Sequence, residues 1–456
     1  MRTEHDKGRR KHSEGKGGRT RLSSVIFFLL LLVPVIGTIL FGAVDEITWA
    51  LIALIWVVVI ALWAADAWRR RALPLNASPL LLPVAGLALI GALQLAPIAI
   101  LGSIDPRATY FFEIRLLVLL TFFAGYLTFI DTEVRLRRTA TFCIIFGAAM
   151  AFYGILQRLA APDAIYGLRR AAAAIPFGPF VNQHHFAALM EMTAGLTLGV
   201  LVGQDTPRDR RILLALAVII MGAAVGFTGS RGGLLSFSAV VGLVVLFRVL
   251  AREDVTNSSS RDGSNTSART GRLAWAVGGI ALLAIIFSTV LFLGGNDQLL
   301  RSTGVDVGSQ DVSTGRFHFW SVAIKIFFEH PLLGTGYDTF GLAYTRFDTW
   351  AGLLRVERAH NEYLQALSDA GIAGFICVLA FILMFFRRSL RVAGESHGFR
   401  KYVAIGALAG CFGVLVHSFF DFPLRTYSNG FFFLLLAAMA TVPIAKEGHR
   451  GRKRAS

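Results

Sequence analysis

Charge is scarce in this sequence. Asp, Glu, Lys and Arg make up only 16% of its 456 residues, and 55% are hydrophobic, whereas soluble domains carry about 25% charged residues. That excludes an ordinary water-soluble domain. Cysteine is scarcer still: Cys143, Cys377 and Cys411 all fall inside apolar runs, so none can staple an exposed loop, and they act as small apolar residues. No carboxylate pair of the glycosidase kind stands out. No His/Cys/Glu spacing suits zinc either, because His184 and His185 are adjacent and cannot share one helix face. Neither a metal nor a cofactor is expected.

What the sequence does have is a succession of apolar runs of about 20 residues, the length a bilayer span requires. Twelve can be delimited: 23–44, 47–65, 78–100, 114–130, 138–157, 180–203, 212–228, 233–247, 273–293, 371–386, 402–419 and 429–445. The first follows 22 polar residues and lacks a small-residue cleavage site, so it reads as a retained span rather than a signal peptide. The expected fold is all-α: a polytopic membrane protein with about twelve transmembrane helices.

The net charge of +16 invites a nucleic-acid reading, but its distribution argues otherwise. With both termini inside, the inner segments 1–22, 66–77, 131–138, 204–211, 248–272, 387–401 and 446–456 hold 32 of the 45 lysines and arginines. Every inner segment is basic, as the positive-inside bias requires. The charge is therefore an orientation signal and a contact with anionic lipid. No nucleic-acid partner is expected.

The connections differ in kind. Residues 253–272, EDVTNSSSRDGSNTSARTGR, read as a flexible inner linker, and the basic N-terminal tail reads as disordered. Residues 294–362 form the longest connection, lie outside between spans nine and ten, and carry Phe, Tyr and Trp throughout. Such a segment is expected to be partly helical and functional. Within it STGRFHFWSVAIKIFFEHP predicts a helix capped by Ser313 or Thr314 and ended by Pro331. Its polar face would hold His318, Ser321, Lys325 and Glu329, and its apolar face Phe317, Trp320, Ile324 and Phe327. This helix would either lie along the outer membrane surface or pack on the bundle. HPLLGTGYDTF then supplies a glycine-rich turn in which Gly334 and Gly336 offer a weak phosphate cradle, with no strand before them.

The candidate chemistry sits at the mouths of the spans. RAHNEYLQ, residues 358–365, puts Arg358, His360, Asn361 and Glu362 just before span ten. Read alone, it is a polar turn in which Asn361 caps a helix and His360 sits among headgroups. FTGSRGGLLSF, residues 227–237, places Arg231 in a very short outer connection, against the positive-inside trend. Charge at that depth is costly and usually has a partner or a function. The flanking Gly229, Gly232 and Gly233 permit close backbone approach to an anion. Arg316 repeats the oddity, as a cation in the first turn of a helix, where the macrodipole disfavours it. Two outward arginines suit pyrophosphate oxygens, and a neutral histidine can take a proton from a hydroxyl. Arg358, two residues from His360, would help to keep that histidine neutral.

GSRGG, TGRFHFW, HPLLGTGYDTF and RAHNEYLQALSDAGIAGF, in that order and on one side, resemble the O-antigen ligase and O-antigen polymerase superfamily of bacterial membrane glycosyltransferases. FVNQHHFA and HSFFDFP add to the resemblance, which covers about residues 180–422. It divides the chain into a basic cytoplasmic tail (1–22), N-terminal spans (23–179), a ligase-like membrane domain (180–445) with its periplasmic loop at 294–362, and a second basic tail (446–456). The resemblance implies an undecaprenyl-pyrophosphate-linked glycan donor at the outer face of the inner membrane. The acceptor would be lipid A–core or another lipid-linked glycan. Arg231 and Arg316 would hold the pyrophosphate and His360 would be catalytic, with metal-independent inversion. The sequence departs at NQHHF, where relatives often have Asn-Pro-Asn, so Asn182 and His185 are supporting candidates only. The rival class is a transporter of a small anion. Glu191 as the single acid deep in a span supplies a coupled-ion path poorly.

Overall fold

The computed structural model describes residues 20–97, 102–171, 174–204, 206–250, 273–275, 277–285, 288, 315–349 and 356–444. The linker 253–272, nearly all of both tails and residues 294–314 of the long outer connection lie outside the described residues, as do Ser313 and Thr314. In chain order the helices are α1 (Arg21–Ile39), α2 (Glu46–Arg70), α3 (Leu81–Gln94), α4 (Pro106–Phe129), α5 (Glu133–Ala160), α6 (Gln183–Leu201), α7 (Arg208–Thr228) and α8 (Arg231–Leu250). They continue with α9 (Leu273–Ile285), α10 (Arg316–Glu329), α11 (Phe340–Phe347), α12 (Glu362–Glu395), α13 (Gly398–His417), a 3₁₀ turn (Pro423–Arg425) and α14 (Tyr427–Thr441). A small antiparallel hairpin pairs Ala164–Ile165 with Arg169–Arg170.

Each apolar run predicted from the sequence overlaps one of these helices. Eight are long and apolar enough to cross a membrane: α1, α2, α4, α5, α7, α8, α12 and α13. The chain is an all-α, multi-pass membrane protein, as backbone satisfaction in lipid demands. Short polar residues start the helices by accepting the otherwise unpaired first-turn N–H groups. Thr20 accepts from Ser23, Asp105 from Arg107 and Ala108, Thr132 from Arg135, and Asn182 from His184.

Successive spans alternate in direction, which gives the bundle two unlike ends. At one end Thr20 donates to Asp66, and Arg135 donates to Ser23. The basic connections after α2, α4, α6 and α12 gather there. At the other end Arg169 pairs with Asp45 at 2.5 Å, and Glu362 N–H donates to the Ser418 carbonyl.

The central pair is α6 and α13. Every residue of α6 from His185 to Val200 is buried. Gly195 and Gly199 face Gly410 and Gly406 so closely that a Cβ on Gly195 would lie 2.5 Å from the Gly410 nitrogen. Small residues four apart let membrane helices approach backbone to backbone. This contact fixes the heights of His184 and Glu191 on α6 against His417 on α13.

Two sequence readings need correction in the long outer connection. First, α12 begins nine residues earlier than the predicted span and is broken at Gly371, which has φ 62° and ψ −163°. The HPLLGTG turn fills the break. Ile372 N–H donates to Pro331 O at 2.8 Å, Thr335 N–H to Ser368 O at 3.0 Å, and Gly336 N–H to Asp369 O at 3.1 Å. Gly334 N–H donates to His330 O, and Tyr337 N–H to Gln94 Oε1. These N–H groups are committed to the protein, so Gly334 and Gly336 form no phosphate cradle; they let the turn dock on a broken helix. Second, α10 packs on α11 and α12 through Phe319, Val322, Ala323 and Ile326, not through the face predicted. Phe317 and Ile324 are exposed and Trp320 is only half-buried. The early start of α12 also puts Asp369 on a buried helix face, and α4 likewise buries Glu113. Glu191 is therefore not the single acid buried in the membrane helices, since Asp66 of α2 is buried as well.

Candidate active site

Five segments meet at the end of the bundle opposite the basic connections: the start of α6, the α7–α8 turn, the start of α10, the start of α12, and the stretch from the end of α13 to α14. The α7–α8 turn is shaped by Gly229, which caps α7 in the left-handed region at φ 65°. Buried Ser230 then starts α8, its Oγ accepting the Gly233 N–H at 3.0 Å. Arg231 is the first residue of α8 and half-buried. Gly232 lies against the His417 ring and Phe420, where a Cβ would come within 3.4 Å of both.

Arg316 is the first residue of α10, preceded by Gly315 at φ 83°. Burial lowers the pKa of its guanidinium, Asp421 opposes that, and Arg231 adds to it. The two arginines predicted to act together are therefore within electrostatic reach of each other, and Arg316 is within reach of the Asp421 carboxylate.

His360 has φ 51°. That left-handed conformation is uncommon outside glycine, and strained backbone persists where the surroundings dictate it. Here they do. Ala359 N–H donates to Gln365 Oε1 at 2.7 Å. Asn361 Oδ1 accepts from Tyr363 and Leu364, while its Nδ2 donates to Phe419 O. Asn361 is thus a helix cap. The His360 Nδ1 lies 3.1 Å from Asp421 Oδ1, and its ring meets Phe422 edge-on at 4.9 Å. The imidazole is partly open to solvent, with its side chain 31% exposed, whereas Asp421 is 1% exposed.

Asp421 is the residue that sequence reasoning missed. Its Oδ1 accepts from the Phe422 N–H at 2.9 Å as well as meeting His360, and its Oδ2 is buried with no hydrogen-bond partner among the described residues. Burial alone would raise its carboxyl, but the His360 hydrogen bond and the nearby His184 and His185 hold it well below the usual carboxylate range. HSFFDFP was visible as a motif, yet nothing in it told which residue Asp421 would meet.

His184 and His185 have different partners. His185 is buried, with Nδ1 2.5 Å from Thr426 Oγ1 and its carbonyl accepting from Asn429, so it ties α6 to α14. His184 is the one that turns to the site, its Nδ1 2.8 Å from Ser230 Oγ. Asn182 caps α6. On α13, His417 Nδ1 lies 2.8 Å from Glu191 Oε1. One ligand atom each from His184, His417 and Asp421 falls within 4.8 Å of the others. Two imidazoles and a carboxylate can chemically take a divalent cation. Arg316, within reach of Asp421, and Arg231 beside it oppose that use electrostatically. His417 and Asp421 stand four residues apart in HSFFDFP, but nothing local announced that His184 joins them from α6.

The Arg358 guanidinium is ion-paired with Asp338. Burial alone would raise the Asp338 carboxyl, but Arg358 and Arg425 hold it below its ordinary value. Glu362 accepts the N–H groups of Leu424 and Arg425 at 3.0 and 3.2 Å. Arg425 also reaches Asp369 at 2.9 Å. These ions clamp the HPLLGTG turn, α12 and the 3₁₀ turn together, and so hold Asp421 against His360.

Residues 216–379 match a family model described as O-Antigen ligase. This chain is also similar to the Exopolysaccharide production protein ExoQ of Rhizobium meliloti (strain 1021), with 27% identity over 175 residues, 36% of this chain. The aligned stretch spans 38% of that relative's length. Both findings support the resemblance to the O-antigen ligase and O-antigen polymerase superfamily drawn from the motifs. The family match contains Arg231, Arg316 and His360; His184, His417 and Asp421 lie outside it.

Proposed function

We propose that this chain is a membrane glycosyltransferase of glycan assembly. It moves a glycan from an undecaprenyl-pyrophosphate donor to a sugar hydroxyl on lipid A–core or on another lipid-linked glycan. In this reading it resides in the bacterial inner membrane with both termini in the cytoplasm, and the site end faces the periplasm, because the basic connections cluster at the other end. The observation that carries the reading is the convergence of Arg231, Arg316 and the His360–Asp421 pair from separate segments.

The chemistry follows from those groups. The guanidinium groups of Arg231 and Arg316 hold the pyrophosphate, with forked donors matched to its oxygens. His360 faces the acceptor with Nε2, since Asp421 occupies Nδ1 and fixes the ring. As the acceptor oxygen bonds to the anomeric carbon, its proton passes to His360 Nε2. The bond from that carbon to the phosphate oxygen breaks, and the lipid pyrophosphate leaves with the electron pair. Charge grows on the leaving group, where the arginines stabilise it most. A single displacement inverts the anomeric carbon, and no metal takes part.

The test is transfer from purified lipid-linked donor by full-length protein in liposomes after treatment with a chelator. Transfer should persist within about twofold of the untreated rate. A loss of tenfold or more that one divalent metal restores would reassign the His184–His417–Asp421 cluster and reject the metal-free mechanism. In parallel, a periplasmic reporter at Asp348 should be active; an inactive one would put the site on the wrong side for a flipped donor.

A further inference from the structure

At the opposite end of the bundle a cavity of about 530 Å³ opens between α5 and α7, far from the site described above. Its floor is apolar, with Ile144 and Ala148 from α5 and Leu213 and Ala217 from α7. Leu213 is exposed and Ala217 buried, so the cavity opens sideways and narrows toward the centre of the bundle. Its mouth carries Arg137 and Arg210. Phe399 and Tyr402 of α13 form the inner wall, and the Arg137 guanidinium lies over the Phe399 ring at 4.1 Å. The helices α5, α7 and α13 all start at this level, so their positive dipole ends share the mouth with the two guanidinium groups.

We propose that this cavity binds one anionic phospholipid, with its phosphate between Arg137 and Arg210 and an acyl chain along the α5–α7 groove. The shape commits to that occupant. A small soluble anion would use the arginines and leave the apolar groove unfilled. A neutral lipid would fill the groove and make no use of the two guanidinium groups at its mouth. Basic pockets between membrane helices at the headgroup level are the expected setting for such a lipid. Glu133 holds Arg137 at 2.6 Å, but both side chains are about half exposed, and an exposed pair of that kind opposes a phosphate only weakly.

The test is native mass spectrometry of the full-length protein in detergent, titrated with phosphatidylglycerol and with phosphatidylcholine of the same chains. Wild type should retain one phosphatidylglycerol and bind it at least about tenfold more tightly than phosphatidylcholine. Arg210→Ala, at an exposed position, should weaken phosphatidylglycerol about fivefold, and Arg137→Ala with Arg210→Ala about 25-fold, with phosphatidylcholine unchanged. Ala148→Trp, which fills the groove, should weaken both lipids. Equal binding of the two lipids by wild type, or undiminished phosphatidylglycerol in Arg210→Ala, would overturn the proposal. So would binding of inorganic phosphate as tight as that of the lipid.

Discussion

α2 and α13 are opposites. Of the eight helices apolar enough to span, α2 is among the most apolar, yet it is the least buried, with 28% of its window inside the protein. α13 is the least apolar and the most buried, at 67%. α6, its partner, carries His184, His185, Glu191 and two buried threonines. In water the most apolar element seeks the core. In a bilayer the lipid solvates leucine as well as a protein interior does, so the core goes to residues that pack closely or pair by hydrogen bonds. α6 and α13 both end in the site, and polar groups inside a membrane are expensive unless they are used.

The comparison can be broken most severely at the α6–α13 contact. Gly199→Leu or Gly410→Leu should abolish recovery of monodisperse protein, because the added side chain meets partner backbone that cannot move. Leu54→Ala on α2, whose side chain faces lipid, should leave yield near normal. Comparable yields from the two kinds of variant, measured by fluorescence-detected gel filtration, would remove the contrast.

The next effect sharpens it at the polar end. His360→Ala should lose roughly 10²–10⁴ in transfer rate, the usual contribution of a positioned base, with folded yield retained. Asn361→Ala should do the reverse, because its side chain caps α12, at a cost of about 1 kcal/mol in stability. Full activity in His360→Ala would end the catalytic role.

Arg231→Lys and Arg316→Lys keep the charge but lose the fork, so each should cost on the order of 10²-fold in transfer. Wild-type rates in both variants would show that neither arginine holds the phosphates.

Asp421→Asn should cost less, roughly 10- to 100-fold, a fraction of the base contribution it supports. Its pH dependence has a definite sign. The folded carboxyl is depressed, so the stability it contributes is complete above the ordinary aspartate value of about 3.9 and is lost only as pH falls through the depressed value. Thermal scans from pH 8 to pH 5 should therefore show no change in the stability difference between wild type and Asp421→Asn. A difference that shrinks over that range would mean that the Asp421 carboxyl is raised rather than depressed in the folded protein.

Much of this was legible in the residues. Period, length and basic loops predict the helices. Arg231, Arg316 and His360 announce themselves because charge in outward connections breaks the local rule. The GxxxG pairs at Gly195–Gly199 and Gly406–Gly410 were also readable as a packing signal. The misreadings share a cause. Gly334 and Gly336 look like an anion nest until their N–H groups find the gap in α12. The apolar face of α10 rotates because α11 and α12 supply the surface that it meets.

Composition and periodicity by themselves determined an all-α membrane chain with a basic end and an opposite one, since those features depend on the bilayer and on local backbone satisfaction alone. The motifs in the outward connections, and the family resemblance they carry, singled out two arginines and a histidine. Only the tertiary structure decided that Asp421 stands behind His360, that His184 rather than His185 turns inward, and that His417 joins them from α13. Asp421 is 61 residues from His360, and His417 is 226 residues from the Glu191 of α6 that it meets. Which of many equivalent polar side chains meet depends on how closely α6 and α13 approach, and that distance is set by four glycines acting across two helices.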